Sequence, residues 1–196
     1  PSFILLQPNT LNCLIPSVQL FASNGSSPNI RLSWVLPDGT GITNSDTITA
    51  TEPGMYTAIA FQPSNYCTTT DSIFVTEDIS SPVADSGSAD TLTCLLDTVL
   101  LGGSQTSIGP NFEIKWFDES GTILSMDSEF QTSTPGTYSL LVTNTSNGCT
   151  DSAQITVIEN RHIPMAEISL SGPITCENPI ITLQATGIQA SSDTAI

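Results

Sequence analysis

Residues 28–34 read PNIRLSW and residues 110–116 read PNFEIKW. In both stretches apolar side chains fall on every second position: Ile30, Leu32 and Trp34 in one, Phe112, Ile114 and Trp116 in the other. Period-two alternation is the pattern of a β-strand with one buried face. The second stretch copies the first, so one strand is written twice, and an internal repeat is the first thing to look for around it.

Working outward, the copy extends over most of the chain. Pro53-Gly54 and Pro135-Gly136, with Tyr56 and Tyr138 behind them, are separated by the same interval as Trp34 and Trp116, and so are Cys67 and Cys149. Cys13, Cys94 and Cys176 keep that spacing to within a single position. Val18 and Leu20 correspond to Val99 and Leu101, then to Ile181 and Leu183, while Tyr56, Ala58 and Ala60 form a thinner version of Tyr138, Leu140 and Val142. Turn formers punctuate these runs at Pro37-Asp38-Gly39, Ser120-Gly121 and Asn147-Gly148.

The chain therefore reads as repeat 1 (residues 1–81), repeat 2 (82–163) and the N-terminal, incomplete part of repeat 3 (164–196). Six or seven short strands per repeat predict an all-β protein of tandem immunoglobulin-like β-sandwich domains. The intervals from the first Cys to the Trp, and from the Trp to the second Cys, are not those of an antibody-type domain. Trp34 and Trp116 are expected in the cores. Tyr56 and Tyr138 should each open the penultimate strand as a tyrosine corner.

Three basic residues against 19 acidic ones give a formal charge of −16, which repels phosphate backbones and anionic lipid alike. No apolar run approaches the roughly 20 residues of a membrane-spanning helix. Nucleic acid and membrane insertion are excluded as expectations. The five cysteines recur at regular places with no Cys-x-x-Cys spacing, which points to disulfides and an extracellular compartment. Two connectivities respect the repeat. One joins Cys13 to Cys67 and Cys94 to Cys149; the other joins Cys67 to Cys94 and Cys149 to Cys176. The first is preferred, because a bridge that closes most of a repeat into a loop stabilises a thin core by about 4 kcal/mol in the chain-entropy model.

A repeated chemistry would need its acid, base or nucleophile to recur, yet the recurring positions are Cys, Trp, Tyr, Pro-Gly and aliphatic stripes. His162 is the single histidine, so a histidine-centred triad or zinc motif has no material, and the chain reads as a non-enzyme. Recurring acids near the repeat boundary, Glu77 with Glu159 and Asp85 with Glu167, with Asp78 beside them, are weak candidates for calcium, and a solvated acidic linker explains them equally. No other cofactor is expected. Phe3, Ile4, Leu5 and Leu6 are apolar where their counterparts Ala84-Asp85-Ser86-Gly87 are small or polar. A first strand apolar on both faces predicts a subunit contact, and with it a homo-oligomer or filament of like chains.

Leu92-Thr93-Cys94, Pro135-Gly136-Thr137-Tyr138 and Asn147-Gly148-Cys149-Thr150-Asp151-Ser152-Ala153 resemble the immunoglobulin-like or PKD-like repeats of giant secreted surface proteins of Bacteroidota, among them the grappling-hook filaments of predatory gliding bacteria. Repeat 1 departs from the pattern with Asn12 before its Cys and with Tyr66-Cys67-Thr68 at the hairpin. The resemblance implies export by the gliding-associated route, a place at the cell surface, and an adhesive or appendage-building role with other cell surfaces or prey as the target. Asp followed by Ser or Thr and an apolar residue, at Thr47, Ser72, Thr91, Thr98, Ser152 and Thr194, is similar to the O-glycosylation signal of the same proteins. The alternative function is a monomeric spacer stalk that presents a binding or catalytic module lying outside these residues.

Overall fold

The computed structural model describes residues 4–5, 10–23, 29–163, 165–177 and 179–188. Among them every regular element is a strand. Repeat 1 supplies β1 (Ile4–Leu5), β2 (Leu11–Asn12), β3 (Val18–Ser23), β4 (Arg31–Val35), β5 (Gly41–Thr43), β6 (Thr47–Ala50), β7 (Gly54–Gln62), β8 (Cys67–Val75) and β9 (Glu77–Asp78). Repeat 2 supplies β10 (Leu92–Thr93), β11 (Val99–Leu101), β12 (Phe112–Phe117), β13 (Ile123–Ser125), β14 (Phe130–Thr132), β15 (Gly136–Asn144), β16 (Thr150–Val157) and β17 (Glu159–Asn160). After them come β18 (Met165–Leu170) and β19 (Leu183–Ile188).

Alternation decides which face each strand buries. β3 is buried and exposed at successive residues along its whole length, and β7 buries Tyr56, Ala58 and Ala60 in turn. Repeat 1 forms one sheet of order β1-β3-β6 and a second of order β5-β4-β7-β8. Leu20, Leu32, Trp34, Ile48, Ala58, Ala60 and Val75 fill the core they contribute to. Repeat 2 repeats the plan with β11-β14 and β13-β12-β15-β16, around Leu101, Trp116, Leu140, Val142 and Val157. Two antiparallel sheets over a core of inward-facing side chains make each an immunoglobulin-like sandwich.

Two short parallel ladders take the element number above the six or seven expected per repeat. β2 runs alongside β9, with Leu11 opposite Glu77, and β10 runs alongside β17, with Leu92 opposite Glu159. Each ladder ties the start of a repeat to the end of its last long strand, and each buries one leucine completely or nearly so, Leu11 and Leu92. Tyr56 donates its hydroxyl to the Glu52 carbonyl (2.9 Å) and Tyr138 to the Thr134 carbonyl (2.7 Å), each a few positions upstream, which is the geometry of a tyrosine corner.

β18 and β19 pair with Glu167 opposite Thr186 and Ile168 opposite Ala185. Displaced by two repeat lengths, this is the register in which β1 meets β3, Ile4 opposite Ser23 and Leu5 opposite Ala22. The third repeat thus opens with the same strand pairing as the first. Its apolar residues Met165, Ile168, Leu170 and Leu183 all stand exposed.

Candidate functional site

The best-defined composite site is the joint between repeats 1 and 2, and neighbouring backbone geometry builds it. Asn12 at the end of β2 folds its side chain over the following turn, where Oδ1 accepts from the amides of Leu14 (3.0 Å) and Ile15 (2.8 Å). This Asx-type turn holds Cys13 and Leu14 outward at the end of the sandwich where β9 also finishes. From repeat 2 the hairpin Asn147-Gly148-Cys149 between β15 and β16 reaches this turn. Gly148 has φ +75°, a left-handed conformation natural to glycine, and a Cβ there would overlap the Leu14 side chain.

Cys13 and Cys149 form a disulfide with Cα atoms 5.1 Å apart. Polar groups close the joint around it. The Leu14 amide donates to the Asn147 carbonyl at 3.3 Å. Asn147, only 1% exposed, uses its whole side-chain amide: Nδ2 donates to Asp78 Oδ1 (3.0 Å) and to the Ser80 carbonyl (3.0 Å), while Oδ1 accepts from the Cys149 amide (3.0 Å). A buried amide whose nitrogen and oxygen both have partners fixes one orientation and is costly to disturb. The Asp78 carboxyl sits below the usual carboxylate range because Asn147 donates to it, with the Ser80 amide and hydroxyl adding to the effect.

This pairing corrects both connectivities read from the sequence. Cys13 follows β2 at one end of repeat 1, beside β9, whereas Cys67 opens β8 at the other end. The length of β8 separates the two ends by about 30 Å at roughly 3.3 Å per residue, far beyond the 7 Å or so between Cα atoms that a disulfide tolerates. Cys94 and Cys149 are kept apart in the same way by β16, since Thr93 pairs with Asn160 beyond that strand. Cys67 and Cys94 lie at the outer ends of two consecutive sandwiches. Cys67, Cys94 and Cys176 are exposed free thiols.

The other expected site residues fall in several places. Trp34 and Trp116 are buried in the two cores, 1% and 0% exposed, and Tyr56 and Tyr138 belong to the same two clusters. Among the calcium candidates, Asp78 belongs to the joint, Glu159 pairs with Arg161 at 3.1 Å, and Asp85 accepts from the amides of Gly87 (3.0 Å) and Gln105 (3.1 Å). Glu77 and Glu167 are exposed, and among the described residues no three His, Cys, Asp or Glu side chains gather into a metal-binding group. Ser72 and Ser152 are exposed, Thr47, Thr91 and Thr98 half-buried, and Thr194 lies outside the described residues. Of the apolar opening, Ile4 and Leu5 form β1, while Phe3 and Leu6 lie outside the described residues. His162 is exposed between β17 and β18.

No family model matches the chain, and no curated protein matches it by sequence. Among solved structures it is similar to the three N-terminal domains of the highly immunogenic outer capsid protein of bacteriophage RB49, with 12% identity, 98% of this chain and 72% of that one covered, and a TM-score of 0.39. It is also similar to a chimeric titin tandem (15% identity, 82% and 99% covered, TM-score 0.32). A third is the N-terminal eight Ig domains of Down Syndrome Cell Adhesion Molecule (14% identity, TM-score 0.38), where 95% of this chain matches and spans about a third, 32%, of the longer one.

Proposed function

We propose that this chain is a segment of an extracellular structural or adhesive filament, or of a cell-surface appendage, assembled from like chains. The observation that carries the reading is the joint between repeats 1 and 2. Two sandwiches locked end to end by a disulfide, a buried amide and an interlocked leucine–glycine contact make a stiff rod, and the positions that recur along it build shape. The disulfide supports an oxidising, extracellular setting, and a charge of −16 supports solubility at high local concentration.

Phe3 to Leu6 are an apolar segment suited to a subunit contact. The resemblance to Bacteroidota surface repeats belongs with this reading, with other cell surfaces or prey as the adhesion target. The second reading, a monomeric spacer stalk, draws on the same stiff joint. Electron micrographs of the native assembly test the two: ordered fibres of several chains are expected, and isolated beaded strings would replace the filament by the stalk. Leu5→Asp is expected to weaken assembly.

A further inference from the structure

The turn that carries Cys13 has a twin at the far end of repeat 2. Thr93 Oγ1 accepts from the amides of Leu95 (3.3 Å) and Leu96 (3.0 Å), as Asn12 Oδ1 does from Leu14 and Ile15. The Thr93 amide donates to the Leu96 carbonyl at 2.8 Å, matching Asn12 to Ile15 at 2.9 Å, and Leu92 donates to Ile158 as Leu11 does to Thr76. A threonine hydroxyl and an asparagine carboxamide thus shape the same turn by the same contacts. One copy is occupied by a hairpin and the other stands open: Cys94 is a free thiol and Leu95 is 100% exposed. Asn160 takes the place of Asp78 in the parallel ladder, and its side-chain oxygen can accept from an incoming amide as Asp78 does.

We propose that Cys94 and Leu95 form a docking end for a further immunoglobulin-like module, which presents an Asn-Gly-Cys hairpin and closes a disulfide with Cys94. Bond formation takes two electrons and two protons from the Cys94 thiol and the hairpin thiol; a disulfide oxidant, of the oxidoreductase or small-molecule kind, receives them and leaves as two thiols. The glycine is a specificity element, because the residue before the hairpin cysteine must pass beneath the leucine of the turn, where Gly148 leaves no room for a Cβ. The hairpin of repeat 1 has the same form but not the same fit. Asn65 Oδ1 accepts from the Cys67 amide at 3.0 Å as Asn147 does from Cys149, yet Tyr66 occupies the left-handed position (φ 58°) where repeat 2 has Gly148. Cys67 of a second copy is therefore rejected by this end. Such a docking end serves a filament and a stalk alike.

Peptide mapping of the native protein, alkylated before digestion and never reduced, is the test. A peptide containing Cys94 joined to an Asn-Gly-Cys peptide other than residues 147–149 is the expected result. Recovery of Cys94 as an alkylated thiol, or bridged to Cys67, Cys149 or Cys176, would overturn the proposal. Leu95→Asp, at a fully exposed position and so without consequence for folding, should raise the alkylated fraction of Cys94 by about tenfold, the effect of losing one leucine contact. An unchanged fraction would overturn the docking role given to Leu95.

Discussion

The two sandwiches share a pattern but fill it differently. In repeat 2, Trp116 donates its indole N–H to the Asp127 carbonyl at 3.2 Å, and Phe130 lies between Trp116 and Tyr138 with ring centres 6.1 and 5.6 Å away. In repeat 1, Trp34 is equally buried, yet its N–H has no acceptor among the described residues, and Ile48 stands where Phe130 would be. Across from the tryptophans, Ala58 and Ala60 take the places of Leu140 and Val142. The alternation of small inward positions is enough to specify the sandwich, while side-chain volume sets how strongly it is held. Repeat 1 has the smaller side chains on this one stripe and a buried indole N–H without an acceptor among the described residues, and should lean on its neighbour through the joint.

The sharpest way to break this comparison is to remove the bridge. Cys149→Ser is expected to cost up to about 5 kcal/mol in the chain-entropy limit for so long a loop, and to split calorimetric unfolding into two transitions with repeat 1 melting first. A single unshifted transition would mean that the repeats do not support each other. Next in size, Trp116→Ala should cost about 3–5 kcal/mol in denaturant unfolding, and Trp34→Ala about 1 kcal/mol less, since it forfeits no hydrogen bond. Equal losses would erase the distinction between the cores.

Asn147→Ala, which strands the groups around a buried amide, should cost about 1–3 kcal/mol, against less than about 0.5 kcal/mol for Asn65→Ala at the exposed hairpin. The smallest effect concerns acid. The depressed carboxyl of Asp78 adds stability that is fully present above its unfolded value and is lost as pH falls through the lower folded value. Unfolding midpoints measured on either side of the carboxylate range should show this acid limb, and Asp78→Asn should flatten it.

Much of this architecture is legible in period and spacing. Val18, Leu20 and Trp34 lie on buried faces because strands alternate, and the interval between Trp34 and Trp116 places one tryptophan in each of two cores. The disulfide is harder to read, although its ingredients are visible. The sequence puts the first cysteine of each repeat before the second long strand and the last in the final hairpin, which are opposite ends of a sandwich. Stacking repeats head to tail then brings the first cysteine of one beside the hairpin cysteine of the next. A preference for a bridge within each core runs against that geometry. The role of Asn147 is invisible for a different reason: Asn-Gly is an ordinary turn signal, and nothing local marks its amide for burial against Asp78, which is distant in sequence.

Because Cys13 and Cys149 enclose a separation of 136 residues, the joint also dictates how the chain bears a mechanical load. Tension entering before Cys13 and leaving after Cys149 crosses one sulfur–sulfur bond and bypasses nearly all of both sandwiches. The slack so withheld is about 450 Å of extended chain at roughly 3.3–3.6 Å per residue. Hydrogen-bonded strands between those cysteines carry little of the strain, and the tether stays short until the bond itself is reduced.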